Sequence, residues 1–452
     1  MTTLIPSDVS RGVSSIQSTG QKLTHASHPV QLSGMTTASS FGFFFLRVIL
    51  AGASGIIRVG FAFLGSYATD QYSHKKAQNS QNVSDLGSIF DGLLYAFLWP
   101  FLFTADSRYA KVRRFERKGR LLSLRRAKIT AVSHYLPERR ITNKDLEKIV
   151  DTSDEWIFER TGIRERRIVE KGQATSDIGA AAAKRLCEKR GLDPAELDLI
   201  IVATVTPDMF FPSSACLVQT KIGAKKAWGF DLSGACSGFV YALATAAQFI
   251  STGAHDKVLV IGADVMTSII DFHDRSTCVL FGDGAGAVLV EPGEDGECGI
   301  IDFILRSDGN GGQFLYMPAG GSLHPSTAET VENKMHYVHQ DGRNVFKFAV
   351  RGLADISQAL LTKHGLTAKD LKLYIPHQAN LRIIKAAVQK MNLDDAQVAV
   401  NIDRYANTTA GTIPICLSEA AESEQIIRND LILMASFGAG FTWGSLLLRW
   451  EI

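Results

Sequence analysis

Cys236 sits in the stretch Asp231-Leu232-Ser233-Gly234-Ala235-Cys236-Ser237-Gly238-Phe239, where two patterns meet. Upstream, the apolar run within 225–231 reads as a buried strand; downstream, Phe239, Ala242, Leu243, Ala246, Phe249 and Ile250 recur at helical spacing. A thiol at a strand-to-helix turn meets unpaired N–H groups and a partial positive charge, which favour the nucleophilic thiolate. Small neighbours let other backbone come close. The plainer reading is a small apolar cysteine packed at a tight turn. Two distant residues bear on the choice: His377, ending an apolar run, and Asn407, ahead of Thr408-Thr409. Singly, each is an ordinary strand-end or turn residue. Brought to one place with Cys236, they would form a Cys-His-Asn constellation for covalent catalysis.

The elements that must position these residues alternate between strand and helix from Lys128 onward. Strands are predicted at 128–133, 197–204, 258–263 and 285–291, and then at 299–305, 372–376, 398–402, 431–435 and 444–449. Helices are predicted at 175–190, 236–252, 345–364 and 380–391. The two series repeat one another in order. Residues 197–206 answer to 371–379, 229–236 to 400–407, 256–264 to 430–438, and 284–291 to 442–450. A duplicated α/β body turns the loops after corresponding strands toward each other. Asn407 then lies opposite Cys236, with His377 at the end of a neighbouring strand.

Composition sets the remaining bounds. The chain has 452 residues, 46% hydrophobic and 21% charged, which is ordinary globular usage. The net charge of +2 conceals an uneven distribution. Residues 1–126 hold 15 Lys and Arg against 6 Asp and Glu; the totals of 48 and 46 leave 33 and 40 for the rest. Six cysteines without short spacings point to a reducing compartment, not a disulfide scaffold or zinc module. Residues 1–40 carry 15 Ser and Thr and one acid, Asp8, a composition also found in transit peptides. The apolar blocks at 41–65 and 93–103 are interrupted by Arg47, Arg58 and Pro100 and read as interfacial or packing segments. The run 111–126 has eight Lys and Arg with Glu116 alone opposing them, suited either to an anionic lipid surface or to a solvated linker. No groove-reading motif is present, so no nucleic-acid partner is expected.

Other signals are weaker. Gly282-Asp283-Gly284-Ala285-Gly286 precedes a strand, not a helix, so it lacks the geometry of a dinucleotide fingerprint. His336 and His339 have no third ligand at a sensible spacing, and no metal is expected.

Six passages point to a family: residues 151–166 (DTSDEWIFERTGIRER), 234–243 (GACSGFVYAL), 281–287 (FGDGAGA), 375–384 (IPHQANLRII), 407–414 (NTTAGTIP) and 437–444 (FGAGFTWG). In this order they resemble the thiolase-fold condensing enzymes, specifically β-ketoacyl-acyl carrier protein synthase III. The resemblance covers about residues 127–452 and implies a duplicated five-layered α-β-α-β-α body, with halves 127–296 and 297–452 behind an added extension, 1–126. It implies an acyltransferase that condenses acetyl-CoA with malonyl-acyl carrier protein by decarboxylative Claisen chemistry and so initiates type II fatty acid synthesis. Siblings using another acyl-CoA starter, for polyketide, quinolone or hydrocarbon precursors, share the same residues. A non-catalytic, membrane-tethered scaffold is the alternative of another class.

The resemblance also assigns residues. Cys236 becomes the acyl-accepting nucleophile, and His377 with Asn407 the pair that holds the thioester oxygen. The backbone N–H groups of Cys236 and Ala439 become the oxyanion hole, although the family often has glycine at 439. Thr152, Trp156, Arg160 and Arg275 fall where the adenine and phosphates of coenzyme A are held; Phe346, Ala379 and Asn380 fall along the pantetheine tunnel. Arg382, Lys385 and Lys390 fall on the helix that meets the carrier protein, and Phe211 where a partner subunit closes the acyl pocket. A homodimer is implied, with no cofactor besides the coenzyme A thioester used as substrate. The expected location is cytoplasmic, with membrane-surface contact through the extension, or a plastid after transit-peptide removal.

Overall fold

The computed structural model describes residues 124–293 and 298–452, all within one compact unit, Arg113–Ile452. The Ser/Thr-rich start, both apolar blocks and most of the basic run lie outside the described residues, as do the transit-peptide and membrane-surface expectations attached to them. No helix among the described residues is long and apolar enough to cross a membrane.

Two sheets carry the body. The first uses β1 (Arg126–Tyr135), β2 (Leu199–Ala203), β3 (Trp228–Leu232), β4 (Val258–Val265) and β5 (Asp283–Gly293) in the order β1-β5-β4-β2-β3. The second uses β6 (Gly299–Ser307), β7 (Leu373–Pro376), β8 (Leu431–Gly438) and β9 (Thr442–Arg449) in the order β6-β9-β8-β7. The orders coincide, and so do the directions. β2 runs parallel to β4 as β7 does to β8, while β5 and β9 are antiparallel to both of their neighbours. The duplication seen in the sequence is therefore a duplication of sheets.

One predicted strand is corrected. Residues 398–402 do not form a counterpart of β3; Val398 makes a single parallel bridge to Tyr374, and Ile402–Tyr405 is helical. A side chain displaces the ladder there. The Gln378 amide donates to Ala399 O at 3.1 Å, and its Oε1 accepts from Asn401 N at 3.1 Å. Backbone groups satisfied by a fully buried glutamine need no neighbouring strand.

Among the described residues, seven helices of eight or more residues join these sheets: α1 (Asp154–Thr161), α2 (Thr175–Arg190), α3 (Ser214–Ile222), α4 (Gly238–Ser251), α5 (Gly342–Lys363), α6 (Leu381–Met391) and α7 (Thr412–Glu422). α4 and α7 are apolar nearly all round, as helices buried between two sheets must be. Their Phe239, Leu243, Ile413 and Leu417 share one core with Ile201 and Val260 of the first sheet and Met434 and Leu446 of the second. α2 and α3 bury one face on the outside of the first sheet, through Ile178, Leu186 and Val218. α5 and α6 do the same on the second, through Leu353, Leu360, Ile384 and Ala387. The result is the expected five layers. The helix predicted at 236–252 begins as a 3₁₀ turn, Ala235–Ser237, and only then becomes α4.

The halves meet closely at Gly262 of β4, where a Cβ would stand 2.2 Å from Ala410 O. Because backbone fills that space, Gly262→Ala has to force the 409–411 turn away and should cost about 1–3 kcal/mol, the usual cost of overpacking. Urea unfolding measures it; an unchanged midpoint would contradict the close approach.

Candidate active site

Cys236 lies in the 3₁₀ turn after β3, with Ala235 at φ 47°. Three hydroxyls tie this turn to the β8–β9 hairpin of the other half. Ser436 Oγ donates to Cys236 O at 2.6 Å, Ser237 Oγ to Thr442 O at 3.0 Å, and Thr442 Oγ1 to Gly234 O at 2.9 Å. The hairpin also brings in Gly438, where a Cβ would stand 2.7 Å from Cys236 N. Glycine is needed here for space. At position 439, where alanine departs from the resemblance, no left-handed conformation is required; the positive φ, 132°, falls on Gly440.

His377 follows β7, its N–H donating to Ala435 O at 2.8 Å. The ring is buried, with Nδ1 2.7 Å from Thr412 Oγ1 and Nε2 without a hydrogen-bond partner among the described residues. Asn407 is held as a strand would hold it: its N–H donates to Leu280 O at 3.0 Å, and its carbonyl accepts from Gly282 N at 3.1 Å. Its side-chain Oδ1 accepts from Thr409 N at 2.9 Å, which commits the oxygen end of the amide and leaves the NH₂ end for the cavity.

Cys236, His377 and Asn407 line one cavity of about 630 Å³ together with Phe437 and Gly438. Its mouth holds Trp156, with the Arg160 and Arg275 guanidiniums 4.7 and 4.9 Å from the indole centroid. Phe346, Ala379 and Asn380 line the way in, and Arg382 lies 5.4 Å from the Phe346 ring centroid. Asn380 also caps α6 through Arg382 N and donates to Arg160 O at 2.9 Å, joining the two walls of the mouth. Beyond Cys236 a smaller apolar recess of about 160 Å³ opens, lined by Val205, Met266, Ile269, Phe281 and Leu315, with Ala439 at its edge. A larger cleft of about 1070 Å³ lies elsewhere; its Lys128–Glu451 and Arg190–Glu291 pairs neutralise each other, and none of the three residues reaches it.

Other expected residues stand apart from the cavity. Thr152 does not line it, although its hydroxyl is buried without a partner among the described residues. Phe211 is 84% exposed and lines neither the cavity nor the recess of its own chain. Lys385 is exposed on α6, whereas Lys390 is ion-paired with Asp355. Among the described residues no cluster of three metal-ligating side chains occurs; His336 instead bonds Thr330, and His339 stacks on Tyr316. Asp283 of the glycine-rich stretch is a buried brace that accepts from Thr267 and Val169.

Comparison with known proteins places this arrangement. Residues 230–309 and 361–450 match the family models for 3-oxoacyl-[acyl-carrier-protein] synthase III and its C-terminal part. The chain is 53% identical over 331 residues to a β-ketoacyl-[acyl-carrier-protein] synthase III of Koribacter versatilis, covering 73% of this chain and 99% of that one. The chain belongs to the β-ketoacyl-acyl carrier protein synthase III family. Among solved structures, the synthase III of Aquifex aeolicus superposes with a TM-score of 0.66 at 45% identity, covering 72% of this chain and all of that one. The priming β-ketosynthase of the R1128 polyketide pathway gives 0.68 at 35% identity, covering 74% and 99%. Like its family, this chain is a condensing acyltransferase of fatty acid synthesis.

Burial governs the electrostatics of this synthase site. It pushes the Cys236 thiol up to about 12, with the Asp264 charge adding to the effect. Burial therefore outweighs the N-terminus of α4, and the resting group is a thiol, not the thiolate expected from the turn alone. Burial also holds His377 down at about 3, so its imidazole is neutral at physiological pH. Asp264 is raised to about 6 for the same reason, although its donors, led by Val205 N and Ala410 N, oppose the shift.

Two residues here escaped the sequence reading. Asp264, an acid within the otherwise apolar β4, could have been found by that contrast; Thr412 had no signal beyond its place in the 407–414 motif.

The His377 shift has a consequence for stability. Its folded value lies below the ordinary 6.5, so below that pH the unfolded chain takes up a proton the folded chain does not, and stability falls as pH drops toward 3. Between pH 7 and pH 5 this amounts to about 2 kcal/mol, which His377→Gln should lack. Urea titrations of both proteins at the two pH values test it; equal losses would contradict the assignment.

Proposed function

We propose that this chain condenses acetyl-CoA with malonyl-acyl carrier protein to give acetoacetyl-acyl carrier protein, the step that initiates type II fatty acid synthesis. The observation that carries the reading is a thiol, a neutral imidazole nitrogen without a partner and an amide on one buried cavity. An indole between two guanidiniums marks its mouth, fitting the adenine and phosphates of coenzyme A.

In the first half-reaction Cys236 Sγ attacks the acetyl thioester carbon, and its proton ends on the departing coenzyme A sulfur. The C–S bond to coenzyme A breaks, and coenzyme A leaves as a thiol. The acetyl methyl is accommodated by the apolar recess beside Cys236. In the second, the malonyl C–C bond breaks and CO₂ departs; the electron pair passes into an enolate whose oxygen takes hydrogen bonds from His377 and Asn407. The enolate carbon attacks the acetyl carbon, and the N–H groups of Cys236 and Ala439 hold the oxyanion until the Cys236–acyl bond breaks, releasing Sγ as a thiolate that takes a proton from solvent to restore the thiol. Neutral donors fixed in a buried site suit this chemistry because they need no reorganisation as charge develops.

Cys236→Ala should abolish acetyl transfer. His377→Ala and Asn407→Ala should each slow CO₂ release about 10²–10³-fold while affecting acetyl transfer less, because the enolate charge arises only in the second half-reaction. Rapid-quench measurement of both half-reactions checks this. Undiminished CO₂ release in either variant would remove that residue from the mechanism. A panel of acyl-CoA starters separates acetyl from longer primers, a question sharpened by the likeness to a priming β-ketosynthase.

The exposed segment Met209–Phe210–Phe211 and the half-exposed Trp228 on edge strand β3 support a homodimer in which Phe211 closes the partner's recess. Phe211→Thr should then admit longer acyl-CoA chains without loss of acetyl transfer. An unchanged chain-length profile in a confirmed dimer would contradict that role.

A further inference from the structure

Thr412 opens α7, fully enclosed, and its hydroxyl lies between two acceptors. His377 Nδ1 is 2.7 Å away and Thr409 O is 3.1 Å away. A hydroxyl carries one hydrogen, so it can donate to one of these at a time. The choice determines the histidine. If the hydrogen goes to Thr409 O, Thr412 Oγ1 can only accept from Nδ1–H, and a neutral ring then presents a bare lone pair at Nε2. If it goes to Nδ1, the ring proton sits on Nε2, facing the cavity as a donor. The Thr409 carbonyl does not need the hydroxyl, because it already accepts from the backbone N–H of Thr412. Nδ1 is buried, and Thr412 Oγ1 is the shorter of the two contacts.

We propose that Thr412 is a positioning residue whose hydroxyl donates to His377 Nδ1 and thereby keeps the imidazole proton on Nε2, making the buried ring a hydrogen-bond donor to the substrate oxygen and not a base. This rests on the functional reading above, in which that oxygen becomes an enolate. No proton is transferred to or from Thr412; it selects the tautomer. The same hydroxyl fixes the ring plane, since rotation about Cβ–Cγ would carry Nδ1 away from its partner. Asn407, whose amide is oriented by Thr409 N, is set from the same turn. The two donors thus take their orientation from residues 409 and 412 of one short segment.

The test compares Thr412→Val, which keeps shape and removes the hydroxyl, with Thr412→Ser, which keeps the hydroxyl. Thr412→Val should slow release of labelled CO₂ from malonyl-acyl carrier protein about 10²-fold, the scale of losing one such donor. Acetyl transfer from acetyl-CoA should fall much less, and Thr412→Ser should restore CO₂ release. A merely structural role would slow both half-reactions together. Independently of any variant, ¹⁵N NMR of histidine-labelled wild-type protein should show His377 with a protonated Nε2 and a bare Nδ1. A proton on Nδ1 in wild type, or full CO₂ release by a folded Thr412→Val, would overturn the proposal. Should wild type neither accept acetyl nor release CO₂, the functional reading itself fails, and the nitrogen spectrum still decides the tautomer.

Discussion

The carboxylate of Asp264 ties together the parts on which the site depends. It is fully buried at the end of β4, and five donors converge on it. Thr204 Oγ1, Val205 N, Thr206 N and Thr206 Oγ1 reach Oδ1 at 2.8–3.2 Å, and Ala410 N reaches Oδ2 at 3.0 Å. The first four belong to the loop after β2; the fifth comes from the other half of the chain. A buried acid needs such donors to remain tolerable. Here they also fix where the 409–411 turn stands, and that turn orients Asn407 and, through Thr412, His377. Gly262, two residues earlier on β4, removes the side chain that would hold the turn away. Seam packing and catalytic geometry are thus one arrangement.

The site so formed carries little charge of its own. Cys236 is a thiol and His377 a neutral ring, both because they are buried. That costs nucleophilicity at rest, since a thiol attacks poorly. It suits the second half-reaction of the proposed function, where a neutral donor in a buried site stabilises developing negative charge strongly. The cationic groups lining the cavity are Arg160, Arg275, Arg343 and Arg382, and under the proposed function they suit the polyanionic end of a coenzyme A thioester.

Much of this was legible in the sequence because duplication is a coarse signal. The order of elements repeats along the chain even where letters do not, and that repeat alone brings Cys236, His377 and Asn407 together. What escaped depends on finer contacts. The pattern at 398–402 reads as a strand, yet the buried Gln378 takes its hydrogen bonds and the segment turns helical. Thr412 looks like any helix-start threonine until its hydroxyl is seen against Nδ1. Lys390 has the charge expected of a docking residue, but Asp355 is near enough to neutralise it. Phe211 entered through the resemblance alone, and at 84% exposure it lines neither the cavity nor the recess of its own chain. The thiolate expected at Cys236 followed from the helix terminus alone; the depth of burial that reverses it is a property of the assembled seam.

The central claim is that this seam makes Cys236 the acyl carrier. Its most direct measurement is peptide mapping of wild-type protein quenched within the first turnover after mixing with isotope-labelled acetyl-CoA and no malonyl partner. The account predicts one acetyl group per site, on the peptide containing Cys236, that is discharged when malonyl-acyl carrier protein is added. Label on another of the six cysteines, or label on Cys236 that malonyl-acyl carrier protein cannot remove, would contradict it.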